Sequence, residues 1–483
     1  MINFTPITNV IGILLIIIGF LMFTGLPFSW YYHSGDAQAI FFSGGITILA
    51  GLLLWLYEFR SNADVKKREG YLIVALGWLA MTTFGTLPYL ISGVIDNPTD
   101  AFFESVSGMT TTGASILTDI ESVPAGILYW RSLSQWIGGM GIIVLTVAIF
   151  PLLRIGGVEL FVAEAPGPTS DKLHPRIQET AKRLWAIYVG LTGLLLLLLW
   201  IGGMNFYEAI NHAMTTMATG GFSTQNESMA AYDTPMIQYP IIIFMLIAGT
   251  NYTVIYLSLK GRWKNVWRSD EFKAYIGIVL GLAVVVTATV FFRSTMSLEA
   301  AFRASIFQIA SIITTTGFVS ADYTSWGNGM TMLFFVLLFL GACAGSTSGG
   351  IKIIRHLVFF KNSFLEFKRL LHPNAIVPLK LNGEVVRPKI MTHILVFLLL
   401  YLMLFVVGSF VVSVLGLDFK TAIGAVATSL GNVGPGIGKV GPVDNFAWLP
   451  DSVKWVLTFL MLLGRLELFT ILILFTPYFW KSN

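Results

Sequence analysis

The sequence predicts an all-α polytopic membrane protein: four membrane–pore-loop–membrane repeats in pseudo-fourfold arrangement around one pore, preceded by two N-terminal helices. Three observations carry that expectation. Apolar runs of roughly 20 residues, enough to cross a bilayer, recur along the whole 483-residue chain. Only 12% of residues are charged, about half the share of a soluble domain, and mean hydropathy is +0.75. Between alternate pairs of long runs lies a shorter apolar run ending in a Thr/Gly- or Asn/Gly-rich stretch, four times over. Disorder and a collagen-like chain are excluded by the same composition, and Cys343, the single cysteine, rules out an intrachain disulfide.

Ten full-length hydrophobic segments are read at about 7–27, 38–58, 71–92, 135–153, 184–204, 238–258, 274–292, 330–351, 391–415 and 452–478. The first has no basic residue ahead of it and no small-residue cleavage pattern, so it is read as a retained helix rather than a cleaved leader. Residues 1–60 then hold the two N-terminal helices. Repeats one to four occupy 70–154, 184–260, 271–355 and 390–480.

Basic residues set the orientation. Arg60, Lys66, Lys67 and Arg68 follow the second segment; Arg154, Lys172, Arg176, Lys182 and Arg183 follow the fourth; Lys260, Arg262, Lys264, Arg268 and Lys273 follow the sixth. With those between Lys352 and Lys389, and Lys481, one face holds most of the 30 Lys and Arg residues. Positive charge marks the cytoplasm, so both termini are expected inside and the acidic face outside, where it would concentrate cations. The stretches 154–183 and 352–389 are long enough for surface helices, and anionic lipid explains their charge as readily as a protein partner.

Each short run on the outer side opens at a capping residue. Asp100 and Glu104 begin the first, which leads to Thr110, Thr111, Thr112 and Gly113. Asn205 and Glu208 form a capping-box-like start to the second, which ends in Ala218, Thr219, Gly220 and Gly221. Ser297 opens the third, before Thr314, Thr315, Thr316 and Gly317; Asp418 opens the fourth, before Gly431, Asn432, Val433 and Gly434. Apolar runs of roughly 10–14 residues are too short to span and mark re-entrant segments. Irregular backbone at membrane depth is tolerated only where protein buries it or where it lines a watery cavity. Close packing by small residues explains one such cluster, but not four at corresponding positions.

Four converging loops would replace a cation's water shell with backbone carbonyls. Glycine at Gly113, Gly221, Gly317 and Gly434 permits the backbone angles that turn a carbonyl toward an axis. No acidic residue lies in these stretches, which argues against a divalent-cation site. The reading is a monovalent cation; residue chemistry alone does not separate potassium from sodium. Gly436, Gly438 and Gly441 match G-x-G-x-x-G in letters but lack the strand and helix that give the motif meaning. The histidines have no metal spacing, and His212 reads as a satisfied helix residue.

Two features lie off this pattern. Gly341, Ala342, Cys343, Ala344, Gly345, Ser346, Thr347, Ser348, Gly349 and Gly350 contain four glycines and only small side chains. Each glycine costs a helix interior about 1 kcal/mol relative to alanine, so this stretch is expected to unwind into an intramembrane loop, 341–350, below the filter. A G-x-x-x-G helix contact is the alternative. Arg465 sits in the middle of the last apolar segment, where an arginine must face protein or water. Holding helices together through a carbonyl or carboxylate is the plainer role for it.

The four capped short helices and their Thr/Asn/Gly loops resemble the superfamily of potassium transporters with four membrane–pore-loop–membrane repeats. From about residue 70 onward they are most similar to the membrane subunit of the bacterial Trk potassium uptake system, and two extra leading helices suit that branch. The resemblance implies that Gly113, Gly221, Gly317 and Gly434 are the recurrent filter glycines and that K+ is the transported ion. It implies that loop 341–350 is a movable barrier with Arg465 beside it, facing the pore. It also implies the inner membrane, a homodimer with one pore per subunit, and a cytoplasmic ring of nucleotide-binding regulatory subunits. The fourth repeat, with Asn432 and Val433, departs most from the threonine-rich pattern. Potassium symport with H+ or Na+ by alternating access is the rival mechanism, but it would favour inverted repeats and titratable membrane carboxylates. No nucleophile–base pairing, organic cofactor or nucleic-acid partner is indicated, and no enzymatic activity is expected.

Overall fold

The structure, a computed structural model, describes residues 2–57, 67–153, 177–386 and 388–481. Arg60, Lys66, Arg154, Lys172, Arg176, Arg387 and most of the 154–183 stretch lie outside the described residues. Among the described residues the regular structure is helical apart from one antiparallel ladder of two residues per strand, Lys380–Leu381 with Glu384–Val385. Large apolar side chains stand on the outer faces of the long helices, with Phe292 83% and Phe410 69% exposed. A soluble protein rarely tolerates apolar surface on that scale; lipid does.

The two leading helices, Thr5–Phe23 (continued by Leu26–Tyr31) and Ala37–Tyr57, pack as an antiparallel pair through paired glycines. A Cβ on Gly12 would lie 2.7 Å from Gly51 O, and one on Gly19 2.7 Å from Gly44 O. Without an aqueous hydrophobic drive, such close backbone approach supplies the packing energy between membrane helices.

Each repeat then runs along one long helix, turns back as a short helix and returns along a second. The short helices are Pro98–Met109, Phe206–Met217, Leu298–Ile313 and Phe419–Gly431. Side chains of Asn97, Asn205, Ser297 and Asp418 cap them, accepting from Thr99 N (2.9 Å), Glu208 N (2.7 Å), Ala300 N (3.2 Å) and Thr421 N (3.1 Å). The expected caps are therefore present at repeats two to four. In repeat one Asn97 followed by Pro98 starts the helix before Asp100, since proline suits the first helical position. The short helices of repeats two and three each pack against the returning helix of the preceding repeat, and that of repeat one packs against the returning helix of repeat four, so the four units close into a ring.

The expectation of ten full helices needs correction at four places. Every returning helix is broken. Ala125–Leu153 kinks at Gly141 (φ 61°, ψ −179°). Pro235–Ala248 bends by 108° into Tyr252–Leu259, and Asp451–Arg465 by 108° into Phe469–Leu472. In place of segment 330–351 there is only Asn328–Leu337, followed by irregular chain to Ile353–Leu371. Glycine unwinds the third repeat as its composition predicts. The fourth is broken by Glu467 and Leu468 in left-handed geometry (φ 58° and 49°), which hydropathy does not register.

Candidate ion filter and gate

Below each short helix the chain adopts one repeated conformation. Thr111, Thr219, Thr315 and Asn432 have φ of 52°, 52°, 55° and 52°. Two residues later Gly113, Gly221, Gly317 and Gly434 have φ of 79°, 78°, 80° and 100°. Left-handed backbone costs an L-residue roughly 1–2 kcal/mol, so three threonines held there need a compensating network. It is the same in all four quarters. Thr112, Gly220, Thr316 and Val433 donate their N–H groups to carbonyls five residues back (2.9, 2.9, 2.8 and 3.0 Å). Thr111, Thr219, Thr315 and Asn432 donate to carbonyls three back (3.0, 3.0, 3.0 and 3.3 Å). Two N–H groups of each loop are thus taken by the last turns of the short helices. An alternation of negative and positive φ sets successive N–H groups on one side, leaving carbonyls toward the other.

The sixteen sequence-predicted filter residues come together as a ring. A Cβ added to Gly113 would strike Gly220 O; on Gly221, Thr316 O; on Gly317, Val433 O; on Gly434, Thr112 O, none farther than 2.8 Å. Each glycine therefore lies against the carbonyl just before the glycine of the next repeat, and the fourth closes on the first. Thr110 and Thr112 hydroxyls pair at 2.7 Å, as do those of Thr314 and Thr316. Ala218 is buried at the corresponding place in repeat two, and Gly431, the last helical residue, takes it in repeat four.

Departures from threonine have local causes. Gly220 replaces a threonine because the Gln135 amide occupies the space a Cβ would need; Gln135 Nε2 donates to Gly220 O (2.6 Å) and its Oε1 accepts from Phe222 N (3.0 Å). Asn432 spans repeats four and one, donating to Thr112 Oγ1 (3.0 Å) and Met461 O (2.9 Å). His212 is satisfied, as expected, by Glu208 O and Ser223 Oγ, both at 2.9 Å.

Behind the ring lies an ion pair that sequence reading missed. Glu104 accepts from Arg131 Nε at 2.7 Å, with both side chains almost wholly buried. The carboxylate also accepts from Ile116 N (2.9 Å), and Arg131 reaches Ser223 O (3.0 Å) while stacking on Phe222. Glu104 sits in the first short run and Arg131 just ahead of the segment expected at 135–153, and nothing in their spacing announces a pair. Removing one partner strands a buried charge, so Glu104→Ala should destabilise by about 3–5 kcal/mol, read as a lower unfolding midpoint in detergent.

Loop 341–350 runs beneath the ring and touches three of its quarters. The hydroxyls of Thr347 and Thr219 lie 3.3 Å apart, Gly349 N donates to Thr315 Oγ1 (2.7 Å), and a Cβ on Gly349 would meet Asn432 at 2.8 Å. Its remaining contacts fasten it in place. Gly341 N bonds Ile351 O (2.8 Å) and Cys343 N bonds Gly249 O (3.0 Å). Buried Glu271 accepts from Ala344 N (2.8 Å) and Ile354 N (3.1 Å), stitching both ends of the loop to one carboxylate. The G-x-x-x-G alternative does not describe this irregular backbone: Gly345 and Gly350 have φ of 72° and 66°.

Arg465 lies beside the loop. It donates to Thr347 O at 2.8 Å, and to Gly139 O (3.2 Å) and Gly138 O in the returning helix of repeat one. It therefore brackets loop and helix through carbonyls. Glu467, two residues beyond Arg465, pairs with Arg355 just after the loop. Lys352 turns back onto Ser348 O and Ser348 Oγ (3.0 Å for the latter).

A polytopic α-helical membrane protein whose four re-entrant loops close one ring, with an irregular segment under it, is defined by these features. The chain belongs to the TrkH family, described as cation transport proteins, which matches residues 36–294 and 280–482. It is 42% identical to the Trk system potassium uptake protein TrkH of Salmonella typhimurium, across 99% of this chain and 100% of that one. It is 35% identical to the Trk system potassium uptake protein TrkI of Halomonas elongata, across 99% and 98%. The crystal structure of the potassium transporter TrkH from Vibrio parahaemolyticus superposes with a TM-score of 0.90 at 37% identity, covering 99% of this chain and 100% of that one.

Proposed function

We propose that this chain takes up potassium across the bacterial inner membrane through a gated, channel-like pore. The observation that carries the proposal is the closed ring of four glycine–carbonyl contacts formed by Gly113, Gly221, Gly317 and Gly434. It supports a selectivity filter in which backbone oxygens replace the ion's hydration shell without burying a fixed charge. Thr111 Oγ1 and Asn432 Oδ1, buried without a hydrogen-bond partner among the described residues, add polar lining at that level. K+ is the cargo; the four repeats at 70–154, 184–260, 271–355 and 390–480 each supply one quarter.

Loop 341–350 with Arg465 is the gate in this reading, because the loop lies against three quarters of the ring from beneath and is held there by hydrogen bonds that opening would break. The family likeness supports the remainder: a homodimer with one pore per subunit, cytoplasmic termini, and a ring of nucleotide-binding regulatory subunits on the cytoplasmic face. Flux into proteoliposomes under an imposed potassium gradient tests the mechanism. Uptake should proceed without sodium and change little between two pH values. A fixed proton-to-potassium stoichiometry would establish the symport alternative instead.

A further inference from the structure

Between repeats two and three the chain turns at one membrane face through residues 260–269. Lys260, Arg262, Lys264 and Arg268 are exposed there, alongside Trp263 and Trp267, each 59% exposed. The neighbouring acid, Asp270, is already taken by Lys273 (3.1 Å) and Lys361 (2.9 Å). Among the described residues no carboxylate pairs with Arg262, Lys264 or Arg268. Trp267 is held edge-on against Phe272, with ring centroids 5.8 Å apart. Leu259, immediately before the turn, is 68% exposed and continues the apolar outer surface of the helices.

The geometry points to a binding site at 260–268 for the headgroups of anionic phospholipid in the cytoplasmic leaflet, whose occupancy biases loop 341–350. Tryptophans settle at the boundary between headgroup and hydrocarbon. Basic clusters beside a membrane helix attract anionic lipid, and the guanidinium fork matches phosphate oxygens. A regulatory protein would also meet these cations, but exposed indoles continuous with a lipid-facing surface favour the bilayer. The helices on either side of the turn are tied to the loop: at the start of Tyr252–Leu259, Tyr252 N donates to Gly345 O (3.1 Å), and in the first turn of Asp270–Arg293, Glu271 holds Ala344 N and Ile354 N. A headgroup that draws the turn toward the membrane plane therefore moves two anchors of the loop. This coupling rests on reading 341–350 as the gate.

The full chain is compared with its Arg262→Gln/Lys264→Gln/Arg268→Gln variant. Phosphatidylglycerol retained by the purified proteins is counted by native mass spectrometry, and potassium flux is measured in phosphatidylcholine vesicles with and without phosphatidylglycerol. The variant should retain at least about fivefold less of the anionic lipid, the factor for one charge near an anionic surface. Phosphatidylglycerol should alter wild-type flux and leave the variant unchanged; surface potential alone would affect both alike. Equal retention by the two proteins overturns the lipid site, and with lost response to a cytoplasmic regulatory subunit it assigns the turn to that partner. Reduced retention with identical lipid response of flux overturns the coupling, and with it the link to the gate, while the lipid site stands.

Discussion

Replacing Gly317 by alanine should admit sodium to a pore that otherwise passes potassium. Two costs act together at this residue. Its φ of +80° is unfavourable for any residue with a Cβ. The new methyl would also collide with Val433 O and lie 2.9 Å from Pro435 Cδ, so the carbonyl of the adjoining quarter has to move. A shift of a few tenths of an ångström alters every oxygen-to-ion distance in that ring. If the ring discriminates by about 1.4 kcal/mol less, the permeability ratio falls tenfold. Gly221→Ala should act similarly, and Gly434→Ala least through collision, because its nearest neighbour is 2.8 Å away. Reversal potentials in mixed potassium and sodium solutions measure the ratio. Unchanged ratios in all four folded alanine variants would remove these glycines from the filter.

The second large effect concerns loop 341–350 as the proposed gate. Arg465→Ala removes a charged donor from Thr347 O and from the carbonyls of Gly138 and Gly139. A hydrogen bond to a charged group contributes about 1.5–3 kcal/mol. If opening the loop breaks the Thr347 bond, its loss raises the open fraction on the order of ten- to a hundredfold. Removing the positive charge also lowers the barrier felt by a cation in a path of low dielectric. Deleting residues 345–348 should likewise raise flux, with potassium preference largely retained because the ring lies above the deletion. The two changes combined should be less than additive, since groups in contact do not contribute independently. Single-channel recording in bilayers reports open probability and conductance. Wild-type flux and opening in a well-folded Arg465→Ala protein would reduce this residue to a tether between helices.

The ring was legible because its chemistry is local. Capping residues, apolar runs too short to span and a glycine at a fixed distance are all written within about twenty residues of one another, and they recur. The breaks in the returning helices were not, apart from the third. Hydropathy measures whether a segment can cross a membrane, not whether its backbone stays helical. Leu468 at φ 49° is held there by tertiary context, and leucine itself carries no signal for it. The charged partners around the loop were equally hidden. Glu467 finds Arg355, 112 residues away, and Glu271 finds two amides beyond position 340. Such pairings depend on the closed ring, which no local pattern encodes.

Writing the four quarters into a single chain has a consequence for how a pore can be plugged. In an assembly of four identical subunits, any segment long enough to reach the central axis exists in four copies, and all four would compete for the same place. Among the described residues only the third quarter carries a long irregular segment within its returning span, while the first, second and fourth break over a few residues. One copy is enough to reach three of the four quarters from beneath. It also makes neighbouring quarters unequal partners: Gln135 of the first reaches the second, Asn432 of the fourth reaches the first, and Arg465 of the fourth reaches both the first and the third. A chain of four unequal quarters can therefore build the ring from all four and lay an irregular segment beneath it from one.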